Sequence, residues 1–443
     1  MQLRSFLQQA AGVGAVSLLD RAVAVGLGIV FARWLGPTEF GAYAFVITAV
    51  GLLLLPARLG LPELLTRDIA AARGTNAPVA IRATILKGYF LVGSAALAIV
   101  AIGQIILQFL PQSHLNQLIK LGLWLIVPTA AFEVTIGILR GLGRTFAFQF
   151  YGTMLLSIVT LSSGAAAMLM LDRYDADIVV DARFVAILTL LGIAGLHLWS
   201  IVRHHPAEDV AQARSAAQLM RTGLGFMVNA LVYMALMRVD LLVLGMVTSE
   251  ASVGLYRVAV EGGQLVAFSY AAATIVLAPE YARLHAAGER DRLRMLVRQS
   301  SRIIMLVGVF AAIPLTLFSR EILVMVFGPE YAGAAAALSI LAVGNFITFF
   351  FGDPVFLLNM TGHHNRITVL VGISLVLAVV LSLILIPHFG IVGAAIASAT
   401  TLVSYRALAF REVYRRLGIN CAVLGRHPHW QSRAAPDPNE ELA

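Results

Sequence analysis

Apolar stretches of about twenty residues follow one another along almost the whole chain, and many carry a charged side chain in their interior. On that ruler, spans are expected near residues 10–32, 40–61, 82–107, 119–139, 147–171, 183–202, 222–247, 253–278, 299–318, 332–357, 366–387 and 389–410. With 59% of residues hydrophobic and 13% charged, the chain lacks the polar surface that a water-soluble fold of 443 residues needs. Mean hydropathy is +0.85. The longest polar segments, near 203–221, 279–298 and 411–443, are each too short to bury a core. The expected fold is an all-α polytopic membrane protein of about twelve transmembrane helices, with no room for a soluble catalytic domain. The first apolar run is too long, and its polar flank too thin, for a cleavable signal.

Net charge is +8, and Lys87 and Lys120 are the only lysines. The arginines cluster in alternating loops: Arg67 and Arg73, Arg140 and Arg144, Arg203 to Arg221, Arg283 to Arg298, Arg366, then Arg411 to Arg416. Arg33, Arg173, Arg183 and Arg320 are the main exceptions. An excess of cations on one side marks it as cytoplasmic, and an even number of spans puts both termini there. Such a distribution argues for membrane topology and contact with membrane lipids rather than for nucleic acid. The single cysteine, Cys421, excludes an intrachain disulfide and suggests a free thiol. His204-His205 and His363-His364 have no partner ligands nearby in sequence, and neither a phosphate loop nor a nucleophile elbow is present. Neither an enzyme nor a cofactor is expected.

The chain repeats itself once. Glu39-Phe40-Gly41-Ala42-Tyr43 matches Ser252-Val253-Gly254-Leu255-Tyr256, Leu61-Pro62-Glu63-Leu64 matches Ala278-Pro279-Glu280-Tyr281, and Arg140 to Arg144 matches Asn359 to His363. The spacings are 213, 217 and 219 residues. Halves with an even number of helices share one orientation and relate by an axis along the membrane normal. This predicts two six-helix lobes around a central cleft: 1–203, a linker over 204–221, 222–410, and a cytoplasmic tail over 411–443. Pro56, Pro128, Pro314 and Pro354 offer places to bend.

At these residues the chain resembles the multidrug/oligosaccharidyl-lipid/polysaccharide exporter superfamily, and within it the Wzx-type flippases of lipid-linked oligosaccharides. Phe31 to Tyr43 is similar to that branch's join between its first two helices. Arg238-Val239-Asp240 with Leu244-Gly245 and Val253 to Tyr256 is similar to its seventh-to-eighth helix pattern, and Ala278-Pro279-Glu280-Tyr281 with the basic stretch to Arg298 to its central inner loop. The resemblance spans about residues 10–415. It implies export of an undecaprenyl-pyrophosphate-linked glycan by alternating access in a bacterial inner membrane. The product would be a polysaccharide such as O-antigen, lipopolysaccharide or exopolysaccharide, and other assembly proteins would be partners. Where many relatives carry an acid near the end of span two, this chain has Arg58, so an acidic role there does not carry over. An ion-coupled drug exporter of the same superfamily is the runner-up reading, and a glycan-assembly component without transport of its own is the third.

An ionisable group in hydrocarbon costs about 2.5 kcal/mol or more, so it faces a cavity or a partner. Arginine's fork suits a pyrophosphate, which selects Arg21, Arg58, Arg238 and Arg257 on the spans that line the cleft in the resembled family. Asp20, Glu133, Asp240, Glu261 and Asp353 are candidate ion or proton couplers. Local pairing stays open beside this: Arg257 and Glu261 sit at i,i+4 on one helix face, Arg58 can snorkel to the interface, and Glu133 and Asp353 occupy matching spans where a structural pairing serves equally well. Asp20 and Arg21 lie about 100° apart on a helix, and Arg238 and Asp240 about 200°, so neither pair shares a face. The transport reading assumes guanidinium groups held unpaired in a wet central vestibule.

Overall fold

A helix satisfies its own backbone hydrogen bonds in hydrocarbon, where water cannot, and the computed structural model is helical throughout. It describes residues 2–75, 81–203, 214–286, 289–361 and 363–423, and no strand occurs among them. The first half contains α1 (Gln2–Ala57), α2 (Leu61–Thr75), α3 (Ile81–Gln108), α4 (His114–Leu123), α5 (Ile126–Gly141), α6 (Thr145–Gln149), a π-helical turn (Phe150–Leu155), α7 (Leu156–Leu171) and α8 (Ala176–Val202). The second half contains α9 (Ala216–Val247), α10 (Glu250–Ala286), α11 (Arg290–Leu317), α12 (Ser319–Val326), a 3-10 turn (Pro329–Ala334), α13 (Ala335–Phe349), α14 (Pro354–Met360) and α15 (His364–Leu417).

Nine stretches among the described residues are long and apolar enough to cross a membrane. Two of them are double. The first two expected spans are two helices that meet at an elbow at Gly36 (φ 69°), and the last two meet at another at Gly390 (φ 54°). Both torsions lie in the left-handed region, where a side chain strains the backbone. Counting each elbow as a turn between spans and adding the 37-residue α10 accommodates the expected set of about twelve. At each elbow a single glycine interrupts the helix and turns the chain, so no longer loop is needed. Pro128 and Pro354 open α5 and α14 rather than bending helices, whereas Pro56 and Pro314 lie inside α1 and α11. Proline is well tolerated in a first helical turn, where its missing N–H has no partner to lose.

The expected linker is shorter than its composition suggests, because Ser215 caps α9 through a capping box with Gln218 and the helix starts at Ala216. Large apolar side chains such as Phe90 (75% exposed) and Phe310 (73%) cover the outer surface. Such exposure is a liability in water and the requirement in lipid.

Within the expected tail, α15 runs on to Leu417, and residues 424–443 lie outside the described ones. After the left-handed Gly418, residues 418–423 fold back, and the Val423 N–H donates to the Phe350 carbonyl at 3.1 Å. Cys421 is fully buried among Tyr281, Leu293, Val297 and Leu358. Burial pushes its thiol up to about 12. Roughly one thiolate in ten thousand then exists at pH 8. Cys421 is therefore expected to resist N-ethylmaleimide in the folded protein at pH 8 and to label within minutes after denaturation, as read by mass spectrometry; rapid labelling of the native protein would contradict this packing.

Candidate functional site at the interface of the halves

The halves meet mainly through α1 and α2 on one side and α9 and α10 on the other. In lipid no hydrophobic gain separates helix–helix from helix–lipid contact, so close approach of small residues holds such an interface. At the end holding the Gly36 elbow, Gly41 and Gly254 cross backbone on backbone. A Cβ on Gly41 would fall 1.8 Å from the Glu250 carbonyl oxygen, and one on Gly254 would fall 2.0 Å from that of Pro37. These glycines are the repeat-related pair. Beside them, Arg33 donates through Nε to the Val326 carbonyl at 2.7 Å and through Nη2 to that of Met325, capping α12 from the opposite half. The Tyr331 hydroxyl donates to the Ala32 carbonyl at 2.8 Å. Glu39 caps α8, accepting from the Ala176 N–H at 2.9 Å.

The end carrying the arginine-rich loops closes in the same way. The turn at Leu59 and Gly60, both with positive φ, presses on Gly223 of α9, where an added Cβ would lie 2.3 Å from the Leu59 carbonyl oxygen. The Arg67 guanidinium stacks 5.3 Å over the Phe226 ring. Arg214 pairs with Asp68 at 3.3 Å, tying the start of the second half to the first.

Between the two closures lie the charges. Arg257 places Nε and Nη2 each 2.9 Å from Oε1 of Glu261, one turn further along α10. The other oxygen, Oε2, is buried without a hydrogen-bond partner and faces Gly28 of α1, where a Cβ would lie 2.5 Å away. Gly28 is thus the slot that admits this carboxylate. Asp240 is buried, accepting from the Tyr256 hydroxyl at 2.5 Å and the Leu241 N–H at 2.8 Å. Arg238 is half-buried, and its charge acts on Asp240.

Two further groups sit within single halves. Arg58 bridges Glu133 at 2.5 Å and Glu63 at 3.1 Å. Asp353 caps α14 through the Phe356 N–H and lies 3.7 Å from Arg406. The expectation of unpaired guanidinium groups does not hold for Arg58 and Arg257, because hydrocarbon leaves each cation nothing better than a neighbouring carboxylate. Asp20 and Arg21 lie outside the residues whose side chains are described. Sequence reasoning passed over Glu63, Gly28 and Tyr256 as site residues; Glu63 and Tyr256 stand inside the repeated motifs, which was the available signal.

A family model described as polysaccharide biosynthesis protein matches residues 7–285, more than half of the chain. A probable low-salt glycan biosynthesis flippase, Agl15, of Haloferax volcanii is 25% identical over 387 residues, covering 84% of this chain and 76% of that protein. Among solved structures, the lipid II flippase MurJ in an inward closed conformation superposes with a TM-score of 0.72 at 11% identity, covering 90% of this chain and 87% of that one. An inward-facing multidrug resistance MATE family transporter superposes with a TM-score of 0.68 at 14% identity, covering 90% and 94%. The chain belongs to the polysaccharide biosynthesis protein family, and its fold is that of these solved transporters.

Because Gly41 has no room for a methyl group, Gly41→Ala is expected to destabilise the closed protein by about 1–3 kcal/mol. Gly93→Ala, where nothing lies within 4 Å, should be neutral or stabilising. Thermal unfolding in detergent compares the two, and equal melting temperatures would contradict the crossing.

Proposed function

We propose that this member of the polysaccharide biosynthesis protein family flips a lipid-linked oligosaccharide, carried on an undecaprenyl-pyrophosphate-type anchor, across the cytoplasmic membrane by alternating access. The arginine-rich end faces the cytoplasm, as do both termini, and residues 1–203 and 222–410 act as the two moving bodies. The observation that carries this reading is the Arg257–Glu261 pair, held between the halves with one carboxylate oxygen unsatisfied against Gly28. A pyrophosphate entering between α1 and α10 competes with Glu261 for the guanidinium, offering two parallel hydrogen bonds in place of one shared oxygen. Arg257 has one carboxylate to leave, whereas Arg58 has two. We therefore assign Arg257 as the main phosphate ligand, with Arg21 of α1 and Arg238 of α9 as further candidates, and Arg58 as a ligand reached only after Glu133 and Glu63 let go.

Glu261, once released, is a buried carboxylate without its counter-charge, which is costly until a cation replaces Arg257 beside it. It becomes a coupler by exchange rather than by an independent ion site. Asp20, Asp240, Glu133 and Asp353 are further candidates for coupling; the last two are paired with Arg58 and Arg406 within their own halves. Outward passage of an anion runs with the negative-inside potential, which contributes about 2.3 kcal/mol per charge at 100 mV. The hydrocarbon tail stays in lipid and leaves through the seam between the halves.

The test is translocation of a lipid-linked oligosaccharide in proteoliposomes with an imposed potential. Arg257→Ala and Arg21→Ala should each lower the rate at least about tenfold, the loss of roughly 1.4 kcal/mol or more of transition-state binding, with normal membrane insertion. Full activity of both variants removes the assignment.

A further inference from the structure

Along α11 every fourth residue forms one continuous row on the surface: Arg294, Arg298, Arg302, Leu306 and Phe310. Arg302 is exposed, Leu306 is 61% exposed and Phe310 is 73% exposed. Leu293, Val297, Ser300 and Ile304 point inward instead. The row therefore borders lipid over its apolar half and ends in stacked cations. Arg302 stands about 22 Å along the helix from Leu317, so the apolar run between them fills most of a hydrocarbon layer roughly 30 Å thick and Arg302 lies toward one edge of it.

Arg298 and Arg302 lack neighbours that would explain them. Like charges at i,i+4 repel. Neither Arg298 nor Arg302 makes an ion pair or hydrogen bond among the described residues, and the Nε of Arg298 is buried without a partner. The first half supplies an internal control. Arg82, Leu86 and Phe90 of α3 stand 220 residues before Arg302, Leu306 and Phe310 and make the same row. There the cation is used inside the protein: Arg82 donates to the carbonyls of Val202 at 3.0 Å and Arg203 at 2.9 Å, closing the end of α8. In the second half the row keeps its form and leaves its charge facing outward.

We propose that Arg298 and Arg302 bind the phosphate of an anionic membrane phospholipid whose acyl chain lies along Leu306 and Phe310. The site is separate from the passage between the halves. A phosphate bridging the two guanidinium groups removes their repulsion and satisfies the buried N–H, and the apolar row continues the contact along the chain. A zwitterionic lipid brings a tethered cation to the same place and loses most of the attraction.

The experiment is native mass spectrometry of the full-length protein titrated with phosphatidylglycerol or phosphatidylcholine, alongside melting temperature in the same lipids. Phosphatidylglycerol should be retained preferentially and raise the melting temperature. Arg298→Gln and Arg302→Gln should each weaken retention about fivefold, and the pair roughly thirtyfold. Arg320→Gln, the same charge change at the opposite end, should leave it unchanged. Should the double variant fold poorly, the single variants and a charge-keeping Arg302→Lys carry the test. Equal retention of both lipids, an undiminished signal in the Arg298 and Arg302 variants, or displacement of phosphatidylglycerol by millimolar inorganic phosphate would each overturn the proposal.

Discussion

Backbone touching backbone between the halves is the contact on which the rest of the structure depends. Gly41 against Gly254 at one end, and the Leu59–Gly60 turn against Gly223 at the other, bring main chains so close that a single methyl group has no place. Lipid offers helices no hydrophobic reason to associate, so shape and close approach hold the halves together. Contacts of this kind are steep: they are made or they are absent. In the proposed transport, a protein closed at both ends by two such contacts would pass a substrate by opening one and keeping the other.

The charges obey the same solvent. Hydrocarbon does not tolerate an isolated ion, and the described acids on the proposed path are accordingly partnered: Glu261 with Arg257, Glu133 with Arg58, Asp353 with Arg406, Asp240 with Tyr256. Pairing does not remove a cation from function. On the proposed path it sets what an incoming anion would have to displace: one carboxylate at Arg257 and two at Arg58. The unfilled hydrogen-bond capacity at Glu261 shows that even this pair is incompletely satisfied.

The motif from Phe31 to Tyr43 acquires a physical reading once the halves are docked. Arg33 caps a helix of the opposite half, Gly36 supplies the left-handed elbow, the Pro37 carbonyl lies against Gly254, Glu39 caps α8, and Gly41 completes the crossing. As sequence these residues marked a family and a position in it. Their separate tasks were invisible because each partner lies far along the chain: 293 residues away for Arg33 and 137 for Glu39.

The amino-acid sequence alone determined that the chain lives in a bilayer, that it is helical and doubled, and that Arg257 and Glu261 share a face. Those facts follow from hydropathy, spacing and the 3.6-residue period, all of which act locally. Which glycines meet, which acid holds Arg58, and which oxygen of Glu261 stays unsatisfied were decided only by tertiary packing. Helical periodicity orients a side chain about its own axis, but nothing in it says which neighbouring axis will arrive within hydrogen-bonding distance.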